Sequence, residues 1–595
     1  MNNTVSTDLN ALASDDPDWG SKTSLNDGSM ELMLPDGSDE ADQRSVTKMI
    51  PSEGKQGGRH DTLPFVKQWS YAMHRIPTTR EASRITLKAK ARFQQDLGLR
   101  GYRALDCKRK AGIAGLFVAF LFCLAGTTVM WCTSLFQDLV TGTMVISNSS
   151  NTWDWWRAPP VSPLLMVYIF NYTNADTFGQ DGQKLRVKEV GPFTYRETTE
   201  KVDFKFYDNA TLSYHEKKTY EFLPEMSAYP ESAKVYVPNI PFLSAVAAAR
   251  DRNFIERWGM NMMLHSFDSK PILHINVRDL LFGYEDRIFN VAKLTAINGQ
   301  IPFQKFGLMV PKVGVSEHEI TMHTGAGDMS RLGQIVNFNG YDNQGVWRSD
   351  ECNAIQGSDG SQFPPPSVSP EARLWVYNRD MCRRLPLVFN EYTEAQGMPA
   401  YRFGMPANVF DNPRDNPDNA CFCHEDDPSL CLPSGVFNAS ACNLNAPVVM
   451  SFPHFLHGDP ALLHNVEGLK PQPGQHDMFV DIHPKLGLTL GGVSRLQVNV
   501  QVRRAAGVLG QTMSHFKDLS ILPVAWFELK VTEFPPPLKN LLYHATFTVH
   551  ILELLLMYGF LAGGIASAAV LFRRLCLRER GTLDLSAESP DSDSS

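Results

Sequence analysis

Apolar stretches long enough to cross a bilayer are scarce in this chain of 595 residues: there are two, and mean hydropathy is slightly negative at -0.22. That scarcity excludes a polytopic transporter, because each spanning helix needs ~20 mostly apolar residues. Enzyme signatures are lacking too. There is no Gly-x-Ser-x-Gly elbow, no His-Glu-x-x-His and no phosphate-binding loop, and Gly325-Ala-Gly327 reads as a turn. A net charge of -8 leaves no basic excess to hold a nucleic acid. Residues 1–45 are polar and acidic, so no cleavable secretion signal is expected there. Cysteine is sparse, ten in all, and unevenly placed.

What is present is a hairpin topology. One apolar run covers residues 111–137, directly after Cys107-Lys108-Arg109-Lys110, and the other covers residues 549–572, ending at Arg573-Arg574. Basic residues flank both runs on the side of the chain ends: Lys88, Lys90, Arg92, Arg100 and Arg103 before the first, Arg578 and Arg580 after the second. Positive flanks stay cytoplasmic. Both termini are therefore expected inside, the first span serving as an uncleaved signal-anchor, with residues 138–548 held outside as one loop. Glu553 is placed at the membrane interface, since a carboxylate at mid-bilayer costs ~2.5–3.5 kcal/mol.

Six of the cysteines fall in that loop: Cys352, Cys382, Cys421, Cys423, Cys431 and Cys442. An even number on the oxidising side reads as three disulfides, with the connectivity left open by sequence. Cys421-Phe422-Cys423-His424 has part of a zinc-like spacing, but the compartment favours disulfides, and neither metal nor cofactor is expected. The loop also carries sequons at Asn148, Asn171, Asn209 and Asn438; the one at Asn2 falls on the cytoplasmic side. Cys107 and Cys576 sit at the inner edges of the spans, where palmitoylation is chemically reasonable. Tyr102-Arg-Ala-Leu105 fits a sorting pattern, close against the membrane. Gly559 and Gly563 give the second span a small-residue face for self-association or for pairing with the first span. Glycine is also simply common in membrane helices.

Residues 1–77 are too poor in apolar side chains to pack and are expected to be a disordered cytoplasmic tail. Residues 78–110 form a basic juxtamembrane segment, read either as an amphipathic helix on anionic lipid or as a solvated stretch. Residues 138–548 are expected to be a mainly β domain of α+β class. Leu165 to Phe170, Val187 to Glu200 and Val202 to Tyr207 read as strands, as do Met478 to Ile482, Leu486 to Leu490 and Arg495 to Val502. At about residues 240–295 the period shifts: Phe254, Ile255, Trp258, Met262 and Met263 mark a helix face, and another helix begins at Val277. Residues 352–442 hold the disulfides, and residues 549–572 and 573–595 are the second span and the carboxyl-terminal cytoplasmic tail.

Several strings carry a resemblance. Tyr168-Ile-Phe-Asn-Tyr-Thr-Asn174 is followed by Val187-Lys-Glu-Val-Gly-Pro-Phe-Thr-Tyr-Arg-Glu197, then Leu281-Phe-Gly-Tyr-Glu-Asp286 and His323-Thr-Gly-Ala-Gly-Asp-Met-Ser330. Asn416-Pro-Asp-Asn-Ala-Cys-Phe-Cys423, Ser451-Phe-Pro-His-Phe-Leu456 and Arg495-Leu-Gln-Val-Asn499 complete the series. In this order, over residues 107–575, the chain resembles the class B scavenger receptor family. That family includes fatty acid translocase, the high-density lipoprotein receptor, a lysosomal integral membrane protein and the sensory neuron membrane proteins. The resemblance implies an antiparallel β-barrel core, a helical bundle at the apex and an internal tunnel of lipid width. It implies the pairing Cys352–Cys421, Cys382–Cys442 and Cys423–Cys431. The full set of six cysteines leans towards a surface receptor.

Moving lipid needs no nucleophile, only an apolar path, and each buried methylene is worth ~0.8 kcal/mol. By resemblance, lysines near the apex are ligand contacts, and Lys270 matches them loosely, with Asp268 where others carry a denser basic pair. Arg250, Arg252, Arg257 and Arg278 are candidates for the remaining charge, and Phe254 and Trp258 for apolar contact; an ordinary solvated cation is an equal reading of each basic residue. His454 and His457 have metal-like spacing, but the flanking prolines favour packing. The function implied is a non-enzymatic plasma-membrane receptor for lipoproteins or free lipids (fatty acid, sterol or carotenoid). The alternatives are an endolysosomal receptor carrying a protein cargo on its apex helices, and a chemosensory accessory protein. A cytoplasmic extension as long as the one before residue 111 departs from the family pattern.

Overall fold

The computed structural model of the chain describes residues 107–148, 150–179, 183–295 and 301–584. The expected tail and juxtamembrane segment up to residue 106, the Asn2 sequon, the Tyr102 pattern and residues 585–595 lie outside the described residues. Helix α1 (Cys107–Cys132) holds the first apolar run only as far as Cys132, with a break at Thr133-Ser134 before its last residues, and α6 (Val549–Asp584), near the other end of the described chain, contains the second. The stretches Lys110–Cys132 and Pro536–Cys576 are each long and apolar enough to cross a membrane. They pack side by side, as small residues allow. A Cβ on Gly126 would strike the Phe560 ring at 2.7 Å, and one on Gly563 would meet Cys123 Sγ at 3.0 Å. Gly563 is thus used within the chain, whereas Gly559 faces open space.

The strands in chain order are β1 (Leu164–Tyr172), β2 (Leu185–Tyr207), β3 (Thr211–Phe222), β4 (Lys234–Pro238), β5 (Ile272–Asn276), β6 (Gly314–His323), β7 (Ile335–Phe338) and β8 (Leu374–Asn378). They continue as β9 (Arg383–Ala395), β10 (Met398–Gly404), β11 (Val436–Asn438), β12 (Val448–Ser451), β13 (Val466–Glu467), β14 (Phe479–Ile482), β15 (Thr489–Gln501) and β16 (Ile521–Lys530). The main sheet runs β7-β6-β3-β2-β1-β16-β15-β14-β10-β9-β8, antiparallel throughout. β12 and β11 branch from β15, and β13 pairs parallel with β2. β1 sits centrally, with Val167, Ile169 and Phe170 fully buried, so it reads as a nearly continuous apolar run.

The two ends of this sheet are joined, making a nearly closed barrel. Ile335 N–H of β7 donates to Gly357 O at 2.7 Å, and the next residue, Ser358, bonds β8 through Trp375 O at 2.9 Å and Tyr377 N–H at 3.0 Å. Closure removes the exposed edges that an open sheet must otherwise protect. It depends on Gly357, whose φ is +123° and whose added Cβ would lie 2.8 Å from Trp375 O.

Two strand expectations change. Val187 to Glu200 and Val202 to Tyr207 are one strand, β2, interrupted by a register shift between Val202 and Lys205 with Asp203 at φ 52°. Leu486 to Leu490 is not a strand of its own. Gly487 turns the chain at φ +66°, His483 Nδ1 accepts the N–H groups of Lys485 and Leu486, and only Thr489 and Leu490 enter β15. The period shift near residue 240 corresponds to α2 (Ile240–Ala249), α3 (Phe254–Ser266), α4 (Val277–Phe282) and α5 (Arg287–Thr295), braced by the β4–β5 hairpin. Disulfides Cys352–Cys421, Cys382–Cys442 and Cys423–Cys431 fasten the segments around a second core of Trp347, Phe410, Phe437 and Phe452.

Candidate functional site: an apolar ridge and a polar cleft

Helix α3 starts where Asn253 Oδ1 accepts the Glu256 N–H at 3.0 Å and Asn253 Nδ2 donates back to the Glu256 carboxylate at 2.8 Å. This reciprocal cap satisfies an amide that would otherwise be orphaned. One side of α3 packs inward through Leu264, Met260 and Met263, and Asn261 Oδ1 receives the Leu509 N–H at 2.8 Å. The opposite side is also apolar yet uncovered: Phe254 is 74% exposed, Ile255 77%, Trp258 58% and Met262 54%. The spacing i, i+1, i+4, i+8 aligns these side chains along one face. Large side chains left in water in this way mark a contact surface rather than a core.

The basic candidates around the ridge divide. Arg250 is held by both carboxylate oxygens of Asp518 at 3.0 Å, and Arg257 is half-buried with Nε sealed from solvent and unpaired. Arg252 is exposed beside the ridge and pairs only loosely with Glu256 at 3.7 Å. Arg278 lies on α4, 3.9 Å from Glu231. Lys270 is exposed and makes no ion pair among the described residues; its carbonyl accepts from Asn239 Nδ2 at 3.0 Å. Phe254 and Trp258 thus share one helix with Arg252 just before its cap, while Arg250 is committed to Asp518.

A second arrangement went unread in the sequence. Lys188 and Glu189 of β2 and the segment Gly468 to His476 enclose a cleft of about 410 Å³, with His454 at its wall. His454 and His476 are 6% and 5% exposed, and their rings stack 4.4 Å apart. Glu189 Oε2 accepts from His454 Nε2 at 2.7 Å and from Trp526 Nε1 at 2.8 Å. Burial works to raise the Glu189 carboxyl, but the bonds from His454 and Trp526 outweigh it and hold the group below its usual range. Burial, helped by neighbouring His454, pulls His476 down to about 4. His457 turns instead to Asp477, at 2.6 Å. The two histidines with metal-like spacing therefore serve different carboxylates. A bilayer-side groove of about 560 Å³ lies along Ile551, Leu555 and Tyr558.

A barrel closed by one loop, a helical insertion, three disulfides and a span on each side form a specific combination. Consistent with it, the sequence profile of the CD36 family matches residues 113–575. The chain belongs to the CD36 family. It is 32% identical to scavenger receptor class B member 1 of Sus scrofa over 426 residues, 71% of this chain and 81% of that protein. It is 34% identical to lysosome membrane protein 2 of Homo sapiens over 366 residues, 61% of this chain and 73% of that protein. In this CD36-family chain Asn148 and Asn209 are exposed, whereas Asn171 Oδ1 is engaged by the Tyr236 N–H at 2.8 Å and Asn438 Oδ1 by Ser440 at 2.6 Å. Cys107 opens α1 and Cys576 lies unpaired in α6.

Proposed function

We propose that this chain is a membrane receptor, not an enzyme, that docks lipoprotein particles or free lipid on the α3 ridge. Lipid then passes along the ectodomain, residues 138–548, to the outer leaflet, driven by its concentration gradient. Fatty acid, sterol or carotenoid are the cargo classes, and both termini lie in the cytoplasm. The observation that carries this reading is the uncovered row Phe254, Ile255, Trp258 and Met262, with exposed Arg252 just before α3 and exposed Lys270 just after it as charges for an anionic head group. Passage requires an apolar path through the nearly closed barrel. The plasma membrane is the proposed site, with Asn148 and Asn209 as the most accessible glycan positions.

The second reading, a lysosomal receptor for a protein cargo, is favoured by the likeness to lysosome membrane protein 2. The same ridge would then meet a protein. Mass spectrometry of lipids that copurify with the full chain, paired with uptake of fluorescent lipid from emulsion particles by expressing cells, separates the two. Bound lipid together with uptake above mock-transfected cells is the expected result. A lipid-free chain with no uptake and dense lysosomal labelling would leave the cargo reading in its place.

A further inference from the structure

We infer that the cleft between β2 and the Gly468 to His476 segment is a binding site for a phosphate-type oxyanion, separate from the α3 ridge. The cleft exists because two segments are brought together. β13 runs parallel to β2, with Val466 opposite Leu185, and Gly468 follows at φ +106°. A Cβ on Gly468 would sit 2.1 Å from Val187 O, so only glycine permits this approach. On the opposite wall the backbone of His454 and Phe455 holds φ values of 55° and 58°, a left-handed run rare outside glycine and typical of sites fixed by their surroundings. Gln497 Oε1 locks it by accepting the His454 N–H at 2.6 Å.

The donor inventory then decides the ligand. His454 Nδ1 accepts the Lys470 N–H at 3.1 Å, so its proton is on Nε2 and is given to Glu189. Together with Trp526 Nε1–H, this occupies Glu189 Oε2. His476 Nδ1 likewise accepts the Gln472 N–H at 3.1 Å, which places its proton on Nε2. That N–H has no acceptor among the described residues and is not sealed from solvent, on a residue that lines the opening. Lys188 and Lys470 line the same opening, both exposed and neither in an ion pair among the described residues. Gln472 and Gln475 add amide donors. Against one carboxylate, whose Oε2 takes both donors while Oε1 takes none among the described residues, stand two unpaired ammonium groups and one unpaired ring N–H. Such a set matches an oxyanion that accepts from several directions. A cleft of about 410 Å³ has room for a phosphate with an attached glycerol-sized group.

The shared chemistry has two sources, free phosphate and the phosphate of a lipid head group. Isothermal titration of the full chain, in phosphate-free maltoside micelles, with inorganic phosphate and with dihexanoyl phosphatidic acid distinguishes them. Saturable binding of phosphatidic acid alone makes the occupant a lipid head group; binding of both with similar affinity makes it the free anion. Either result supports the site provided Lys188→Gln with Lys470→Gln weakens binding at least tenfold while Lys188→Arg with Lys470→Arg retains it, both at unchanged melting temperature. His476→Phe is expected to weaken binding in the same direction. Phe254→Ser with Trp258→Ser should leave it unaltered, so failure here and failure of the ridge are read independently. Absence of saturable binding of either probe, or equal binding by the glutamine pair, overturns the inference.

Discussion

Replacing Phe254 and Trp258 together by serine tests the apolar ridge at the point where its energetics are simplest. Both side chains are mostly in water in the unbound chain, 74% and 58% exposed, so their loss removes almost no packing. Entering an apolar phase is worth ~1.5–3 kcal/mol for a large apolar side chain. Counting only the low end for each, the pair contributes about 3 kcal/mol to docking, or roughly a hundredfold in affinity at ~1.4 kcal/mol per decade. The assay is surface-plasmon capture of phosphatidylcholine–triolein emulsion particles by the full chain in nanodiscs. The melting temperature should stay that of the unaltered chain, whereas Leu264→Ser on the buried side of the same helix should lower it. Raising salt should weaken capture only modestly, because Arg252 and Lys270 contribute screened surface charge. Undiminished capture by the double variant would refute the reasoning. So would its complete abolition by Arg252→Ala with Lys270→Ala while both aromatics remain.

Acid should destabilise the fold through two histidines. Burial draws His476, with His454 beside it, and His483, with Lys485 beside it, down to about 4 from an ordinary value near 6.5. Between those values the unfolded chain binds more protons, so stability is full above pH ~6.5 and falls as pH drops towards ~4, by about 2 kcal/mol for each histidine at pH 5. Melting curves at pH 7 and pH 5 should differ accordingly, and His476→Gln with His483→Gln should narrow the difference; an unchanged difference counts against this assignment. Among the disulfides, loss of Cys352–Cys421, which spans 69 residues, should cost more than loss of Cys423–Cys431, which spans 8. The chain-entropy account puts the gap at about 2 kcal/mol, and denaturant midpoints of the two serine double variants measure it. In the spans, Gly126→Leu must displace Phe560, whereas a Cβ added at Gly559 meets nothing within 4 Å, so Gly559→Leu starts from open space. The first should reduce folded yield. The second should leave yield intact and lower chemically cross-linked dimer only if Gly559 serves self-association.

What was legible in the sequence follows from how far each signal travels along the chain. The spans are local and long, so their composition was enough. Strand β1 and helices α3 and α4 follow local periodicity, and Phe254 and Trp258 emerged with them. The orientation of that periodicity was not legible. α3 is apolar on two sides, and only the packing of Leu264 and the Leu509 N–H bond to Asn261 determine which side turns inward. Arg250 shows the same limit from the opposite direction: it reads as a free cation until Asp518, 268 residues away, is placed against it. Barrel closure depends on Gly357-Ser358 bridging β7 to β8, a pairing that no alternation pattern announces.

The polar cleft lies at the far end of this scale. Glu189 and Trp526 are 337 residues apart, and Glu189 and His454 are 265 apart. Each has a bland explanation in isolation, His454 most of all, because the flanking prolines favour a packing role. The fold alters the weighing by setting two histidine rings in parallel inside a buried wall and leaving one N–H without an acceptor. That donor is not sealed from solvent, and two unpaired lysines line the same opening. A water molecule or an oxyanion would meet the same N–H, but only the anion also answers the two ammonium groups. The charge balance of the cleft, more than any single residue in it, is what favours an anionic occupant.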